Sequence, residues 1–163
     1  MDTSISTHLL KSLQRRYATK IFDETRKLSD IDIDTLSEVL RMTPSSFGIQ
    51  PWKFIIIEDQ ILREKIRSLA PKQRQVTEAS HLIVLCAQKI IDQTDITHHI
   101  DTLATARDQD SNEILAKRDE IGKVNRILHH FSDTHASNYE VYIALGFLVS
   151  ACAMLHIDAC PIG

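Results

Sequence analysis

The sequence contains few of the residues that make tight turns and none of the common nucleotide-binding glycine motifs. Its 163 residues include four Gly and four Pro, which is too few for an all-β protein with many tight turns. Neither G-x-G-x-x-G nor G-x-x-x-x-G-K-[ST] occurs, so the usual arguments for a Rossmann or a P-loop fold do not apply. The G-x-S-x-G motif is missing as well, and acyl-transfer hydrolysis therefore has no support.

The sequence also lacks an excess of charge of one sign and a long apolar run. Nineteen Lys and Arg oppose 22 Asp and Glu, for a net charge of -3, so we expect at most a local phosphate site and no general polyanion binding. No stretch reaches the ~20 apolar residues of a membrane span. The polar N-terminus, Met1–Leu10, lacks a long apolar run, so we expect no signal peptide. We therefore expect a cytoplasmic protein without a membrane or nucleic-acid partner.

Cysteine is scarce, and its spacing excludes a paired metal site. The three cysteines, Cys86, Cys152 and Cys160, all lie in apolar stretches. An odd number in such settings predicts buried free thiols in a reducing compartment. The adjacent pairs His98-His99 and His129-His130 are poor chelates, because neighbouring residues on a helix point about 100° apart. We expect no metal site.

What the sequence does contain is a set of amphipathic helices and two short β-branched runs. A chain of this length predicts one domain, residues 1–163, with a substantial core. Helices clearly outnumber strands, which favours an α+β or α/β fold with a small sheet flanked by helices. Helical spacing predicts helices over Thr3–Gln14, from a capping box at Ser29 to near Thr43, and from Asp59 or Gln60. Buried strands are predicted at Lys53–Glu58 and His81–Ala87.

The most pronounced helical pattern is Asn138–His156, which is apolar on nearly all sides. Such a helix is buried in a large core or at a subunit interface. A chain of this size has difficulty covering it completely, so the pattern predicts a homodimer. The polar, weakly periodic stretch 95–132 predicts one or two exposed helices that could form a mobile lid.

Three segments could bind a ligand, and each has a plainer interpretation. The basic stretch Arg15–Asp23 could hold a phosphate or could simply close the first helix. Thr43–Phe54 offers hydroxyls, an amide and aromatic rings to a polar heterocycle, or it could be a helix-to-strand connection with Trp52 in the core. Pro71–Gln75, taken alone, is an exposed polar turn.

Taken in order, these segments resemble the nitroreductase family of FMN enzymes. The resemblance implies an α+β homodimer with two FMN sites at the subunit interface. It further implies transfer of a hydride from NADH or NADPH to the flavin and then, by a ping-pong mechanism, to a nitroaromatic, a quinone or a similar acceptor. The matching segments are Arg16–Phe22, Pro44–Ser46 with Gln50–Phe54, Gln73–Gln75 with Glu78–His81, Tyr142–Gly146 and Asp158–Gly163.

The resemblance also implies a set of flavin contacts and no catalytic nucleophile. Arg16 matches the phosphate-binding arginine, and Lys20 matches a lysine whose charge would stabilise the reduced ring. Three further residues match family residues that reach the flavin from the partner subunit. Five others match family residues that contact the pyrimidine edge or the central ring of the flavin. The remaining contacts are Tyr17 and Ala18 beside the phosphate, Ser45, Ser46 and Phe47 from the partner, Lys72 and Gln75 at the pyrimidine edge, Glu140, and Pro161, Ile162 and Gly163 at the central ring.

The sequence departs from the family pattern at three places. Ala18 stands where many members have a hydroxyl, and Glu140 stands where glutamine is usual. The sequence also stops at Gly163, where family members continue through more of the flavin loop, a helix and strand, a basic segment and a tail. The chain is therefore expected to be a C-terminally incomplete piece of an ordinary flavoenzyme or, alternatively, a truncated non-catalytic homodimer that binds flavin weakly or not at all. A relative that uses flavin for another reaction, such as dehalogenation or ring fragmentation, is a further alternative.

Overall fold

The computed structural model of the chain describes residues 3–108, 113, 114, 116, 122 and 135–163, and all structural statements below refer to these residues. Among the described residues helices dominate and the sheet has two strands, which confirms the α+β class with a small sheet. The helices are α1 (Thr3–Arg15), α2 (Asp30–Arg41), α3 (Gln60–Leu69), α4 (Gln75–Glu78), α5 (Gln93–Arg107) and α6 (His135–Met154). The strands are β1 (Trp52–Ile57) and β2 (Leu82–Ala87), and a 3-10 turn spans Ser46–Gly48.

Helix α2 begins at the predicted capping box. The Ser29 hydroxyl accepts a hydrogen bond from the Asp32 backbone N–H at 3.2 Å, and the Asp32 carboxylate accepts from the Ser29 backbone N–H at 3.0 Å. The bond from the Ser29 hydroxyl, followed by the one from its backbone, lowers the pKa of Asp32 from its ordinary value. The helix ends at Arg41, two residues before the predicted end at Thr43. The Met42 and Thr43 amides close its last turn by donating to the Glu38 and Leu40 carbonyls.

The chain divides into two compact units, and each is described by itself. The first comprises Met1–Thr43, Phe54–Leu85 and Ala144–Gly163. Its buried apolar side chains come from α2, α4 and α6: Leu36, Leu40, Val76, Ala144, Leu148, Cys152 and Ala153.

The second unit comprises Pro44–Lys53 and Cys86–Ile143. Its apolar cluster is centred on Ile100 and Ile114, with Ile49 and Ile91 among the side chains packed against it. Most of the predicted lid, residues 95–132, and the pair His129-His130 lie outside the described residues. Within the described residues, no group of three or more His, Cys, Asp or Glu side chains is arranged to hold a metal ion.

Two predictions of burial are wrong in part. Strand β1 alternates between half-buried and exposed positions, with Ile55 43% exposed, and β2 is half-buried throughout. A two-stranded sheet leaves both strands at an edge, so neither reaches the burial of a central strand. Cys86 on β2 and Cys160 are likewise half-buried, whereas Cys152 is buried; all three thiols are free.

Helix α6 starts three residues before the predicted Asn138 and is buried on one side only. Ala144, Leu148, Cys152 and Ala153 are buried, while Tyr139 and Tyr142 are 68% and 69% exposed. The predicted burial of the whole helix therefore does not occur within one copy of the chain. No helix in the described part of the chain is long and apolar enough to span a bilayer.

Candidate functional site

Arg15, the last residue of α1, ties the end of that helix to the end of α6. Its Nη2 donates to the Ala153 carbonyl at 3.4 Å, and its Nη1 lies 3.5 Å from the Asp158 carboxylate. A cation at a helix C-terminus is favourable, because it meets the unpaired carbonyls and the negative end of the helix dipole. For the basic stretch we gave two interpretations, phosphate binding and helix closure. The contacts of Arg15 support a structural role at the helix ends.

The chain reverses direction immediately after α6. His156 adopts a left-handed conformation with φ of 58°, and the Ile157 amide donates to the Cys152 carbonyl at 2.8 Å. This is the hydrogen-bond pattern of a Schellman cap, in which glycine usually occupies the left-handed position. The missing glycine explains why the sequence predicted a helix running on to His156. The reversal directs residues 158–163 back along the first unit.

After this reversal, the segment lies beside the residues that follow α1. Ala18 and Ala159 form a parallel β-bridge, and the Thr19 amide donates to the Ala159 carbonyl at 3.2 Å. Two of the segments predicted to bind flavin are therefore joined backbone to backbone. Backbone pairing of this kind fixes which side chains meet and leaves Lys20 beside Cys160.

A third segment, α4 and the two residues that follow it, is held in place by two arginines of α3. Arg63 is completely buried and donates to the backbone carbonyls of Val76 at 2.7 Å, of Ser80 at 2.9 Å, and of Ala79. Arg67 donates to the Thr77 hydroxyl at 2.7 Å. Burial lowers the pKa of Arg63, and the charge of Glu58 acts in the opposite direction. Sequence reasoning missed both arginines; their i,i+4 spacing on one helix face was the available signal.

The three segments converge on one side chain. The Cys160 Sγ accepts from the Lys20 Nζ at 3.6 Å and from the Gln75 Nε2 at 3.7 Å, and it donates to the Pro161 carbonyl at 3.7 Å. We call Thr19, Lys20, Gln75 and Cys160 the Cys160 cluster. Cys160 was not among the predicted site residues, although it directly precedes the predicted Pro161–Gly163 loop.

Two buried oxygens of the Cys160 cluster have unused hydrogen-bonding capacity. Gln75 and Thr19 are both more than nine-tenths buried. Within the described part of the chain, neither the Gln75 Oε1 nor the Thr19 Oγ1 has a hydrogen-bond partner. An unsatisfied buried acceptor costs about 1–3 kcal/mol, and native proteins rarely retain one without a ligand or water. The arrangement leaves an unused acceptor and a cation available to a ligand.

The other predicted contacts of the first unit lie at the surface. Arg16, Tyr17, Lys72 and the loop Pro161–Gly163 are exposed, and Ala18 is half-buried. Their side chains are therefore accessible to a bound molecule. Glu78, in the same unit, was not predicted as a flavin contact. It is buried, pairs through Oε1 with the Arg74 Nε, and has no described partner at Oε2.

The predicted contacts of the second unit form a self-contained turn. The Ser45 Oγ accepts from the Gln50 amide at 2.8 Å, and the buried Glu140 carboxylate accepts from the Ser46 amide at 3.1 Å. Glu140 and this turn, both predicted as flavin contacts, are thus brought together. In this chain the Glu140 carboxylate is hydrogen-bonded to the backbone of the turn. The Phe47 side chain lies outside the described part of the structure.

Residues 13–163, which include the whole Cys160 cluster, match the family model described as "Nitroreductase family". The chain is 31% identical over 167 residues to a protein of Staphylococcus saprophyticus named "Putative NAD(P)H nitroreductase", covering 98% of this chain and 75% of that relative. Its fold is similar to that of a nitroreductase-like protein of Streptococcus mutans, with a TM-score of 0.85 and 20% identity over 97% of this chain and 76% of the other. It is also similar to a "putative nitroreductase in complex with FMN" of Exiguobacterium sibiricum, with a TM-score of 0.73 and 20% identity over 95% and 74% of the two chains.

Proposed function

The chain belongs to the nitroreductase family, and on that premise we propose that it is an FMN-dependent oxidoreductase that uses NADH or NADPH. The observation that carries the proposal is the convergence of Lys20 and Gln75 on the loop at Cys160. These residues come from three distant parts of the sequence, each of which resembles a flavin-binding segment. The S. saprophyticus relative's name includes NAD(P)H, and the E. sibiricum neighbour contains FMN.

The residues of the Cys160 cluster fit the chemistry of a flavin ring. The oxidised isoalloxazine edge presents one ring N–H between two carbonyl oxygens. The unpartnered Gln75 Oε1 would accept from such an N–H, and the Lys20 ammonium would donate to a ring carbonyl. The exposed guanidinium of Arg16 would bind the phosphate, for which its planar donor geometry is suited. FMN, when bound, supplies the hydride-transfer chemistry.

The chain's own contribution is placement and charge. Lys20 would hold a positive charge where the reduced ring becomes negative, and this lowers the free energy of the reduced state. No side chain need act as a nucleophile. The proposed cycle is ping-pong: the nicotinamide leaves before an acceptor such as a nitroaromatic or a quinone enters the same space.

We also propose that the enzyme is a cytoplasmic homodimer, with Ser45, Ser46 and Phe47 contacting the flavin of the partner subunit. The support is the amount of exposed apolar surface on two helices. Exposed apolar side chains in such number favour an interaction with another protein surface. A second copy would cover apolar residues on α6 and α1: Tyr139, Tyr142, Ile143, Phe147 and Met154, and Ile5, Leu9, Leu10 and Leu13.

The proposal is tested by adding FMN to the purified protein and recording its visible spectrum. We expect flavin absorbance that stays with the protein on gel filtration and is bleached by NADH or NADPH without oxygen. Protein that stays colourless after incubation with excess FMN would contradict the function and favour a non-catalytic homodimer. Light scattering at micromolar concentration tests the dimer, and a monomer would contradict it.

Arg16→Ala tests the phosphate assignment. Loss of charge-assisted hydrogen bonds, worth about 1.5–3 kcal/mol each, should weaken FMN affinity by roughly tenfold or more. Arg26→Ala, at another exposed arginine of the same unit, is the matched control and should leave FMN affinity unchanged. Equal affinities for the two variants would remove Arg16 from the phosphate site.

A further inference from the structure

The three thiols of the chain differ in their surroundings. Cys152 is 5% exposed, and burial raises its pKa to about 11. Cys86 lies in β2 and is half-buried. Cys160 is half-buried in a loop, and its contact with Lys20 is open to solvent. A thiol reacts with small molecules when it is both accessible and beside groups that stabilise negative sulfur. Cys160 alone among the three combines access with a neighbouring cation in the described structure.

The groups on the Cys160 sulfur are suited to a nucleophilic thiol. The Lys20 ammonium and the Gln75 amide each direct N–H donors at the Sγ, at 3.6 and 3.7 Å. Both donors would stabilise the negative sulfur of the thiolate that attacks. The Pro161 carbonyl, at 3.7 Å, accepts the S–H in the resting thiol.

The unused Gln75 oxygen indicates what kind of molecule would be held beside the sulfur. Gln75 is 7% exposed, and its amide is oriented into the cluster because its Nε2 contacts the Cys160 Sγ. Its Oε1 has no described partner and needs an N–H donor. Lys20 offers a cation to a carboxylate. A small molecule with amide N–H groups and carboxylates, such as a peptide-like disulfide, meets both requirements.

We propose that Cys160 is a thiol–disulfide exchange site for small peptide-like disulfides and that the mixed disulfide excludes flavin; the exclusion rests on the proposed function. The Cys160 thiolate attacks one sulfur of the disulfide. A Cys160–sulfur bond forms, the original sulfur–sulfur bond breaks, and the released thiolate takes up the proton that Cys160 lost. The added group then occupies the space in which Lys20 and Gln75 would meet the flavin. A free thiol reverses the exchange and restores the site.

The exchange site is tested on flavin-free protein treated with oxidised glutathione, with the adducts at each cysteine quantified over time by peptide mass spectrometry. We expect Cys160 to react faster than Cys86 and Cys152. Lys20→Met should slow the reaction at Cys160 by about fivefold, since it removes a charge next to the sulfur. Lys11→Met, at an exposed lysine of α1, is the matched control and should react like the unaltered protein. Faster reaction at Cys86, or equal rates for Lys20→Met and Lys11→Met, would overturn the assignment.

The exclusion of flavin is tested separately by FMN titration before and after glutathione disulfide treatment. Treatment should abolish FMN binding and a thiol reductant should restore it, whereas the affinity of Cys160→Ser should be the same before and after treatment. Equal FMN affinity of the treated and untreated protein would overturn the exclusion. Failure of the untreated, reduced protein to bind FMN would instead contradict the proposed function and, with it, the exclusion, while the ranking of the three cysteines would still decide the exchange site.

Discussion

The Cys160 cluster of the first unit and the Ser46–Gly48 turn of the second differ in how their polar groups are satisfied, although both contain residues predicted to bind flavin. In the turn, the Ser45 hydroxyl and the Ser46 amide are already hydrogen-bonded within the chain. In the cluster, the buried oxygens of Gln75 and Thr19 have no described partner. The polar groups of the turn therefore stabilise the turn itself, whereas those of the cluster can still accept hydrogen bonds from a ligand.

Among the variants that test this comparison, Arg63→Met should cause the largest loss of stability. The variant would leave three backbone carbonyls without their buried donor, and the expected loss of stability is roughly 3–5 kcal/mol. The cluster would lose its support while the turn keeps its hydrogen bonds. Urea denaturation measures the loss, and Arg41→Met, at an exposed arginine paired with Glu38, should change the midpoint little. Similar midpoints for the two variants would show that Arg63 does not hold α4.

The turn should respond most to Glu140→Ala. This variant removes the buried acceptor of the Ser46 amide and should cost about 1–3 kcal/mol. Glu140→Gln keeps an oxygen in the same position and should restore most of the stability. If the alanine variant is as stable as the glutamine variant, the hydrogen bond to Ser46 does not stabilise the turn.

Gly48→Ala should destabilise the turn by a smaller amount. Gly48 has φ of 74°, and an added Cβ would lie 3.3 Å from the His99 Cε1, so a cost of about 1–2 kcal/mol is expected from the left-handed backbone. Gly146→Ala is the opposite case, because no atom of the described residues lies within 4 Å of the added carbon in α6. It should stabilise the helix by up to ~1 kcal/mol. Thermal unfolding that shifts in the same direction for both variants would contradict this contrast.

The smallest effect should come from Thr19→Val in the flavin-free protein. The Thr19 hydroxyl oxygen is buried without a described partner, so replacing it with a methyl group should be neutral or slightly stabilising. Ser45→Ala, which removes the acceptor of the Gln50 amide, should cost roughly 0.5–1.5 kcal/mol. A Thr19→Val variant that loses as much stability as Ser45→Ala would show that the Thr19 oxygen is already satisfied.

Helices and strands that are determined by residues close together in the sequence were predicted well. The capping box at Ser29 fixes the start of α2 through bonds between residues three apart, and the β-branched runs predict both strands to within a residue or two. Helix α4 was not predicted, since four residues cannot form a stable helix without tertiary support. That support comes from Arg63 and Arg67.

The candidate site was only partly predictable for the same reason. The resemblance identified Lys20 and Gln75 individually, and the structure brings both to Cys160. The contacts join residues 140 and 85 positions apart in the sequence, so no local pattern could reveal them. The reversal at His156 was also hidden, because histidine rather than glycine occupies the left-handed position. The thirteen predicted flavin contacts remain predictions until a bound flavin is observed.

The buried guanidinium of Arg63 has a consequence for how the first unit opens. Because Arg63 donates to the Val76 carbonyl in α4 and to the Ala79 and Ser80 carbonyls that follow it, α4 cannot separate from α3 without exposing all three at once. The two helices should therefore behave as one cooperative segment in hydrogen exchange, with the amides of the four-residue helix protected as long as those of α3. Gln75, the first residue of α4, then keeps its position for as long as α3 stays folded.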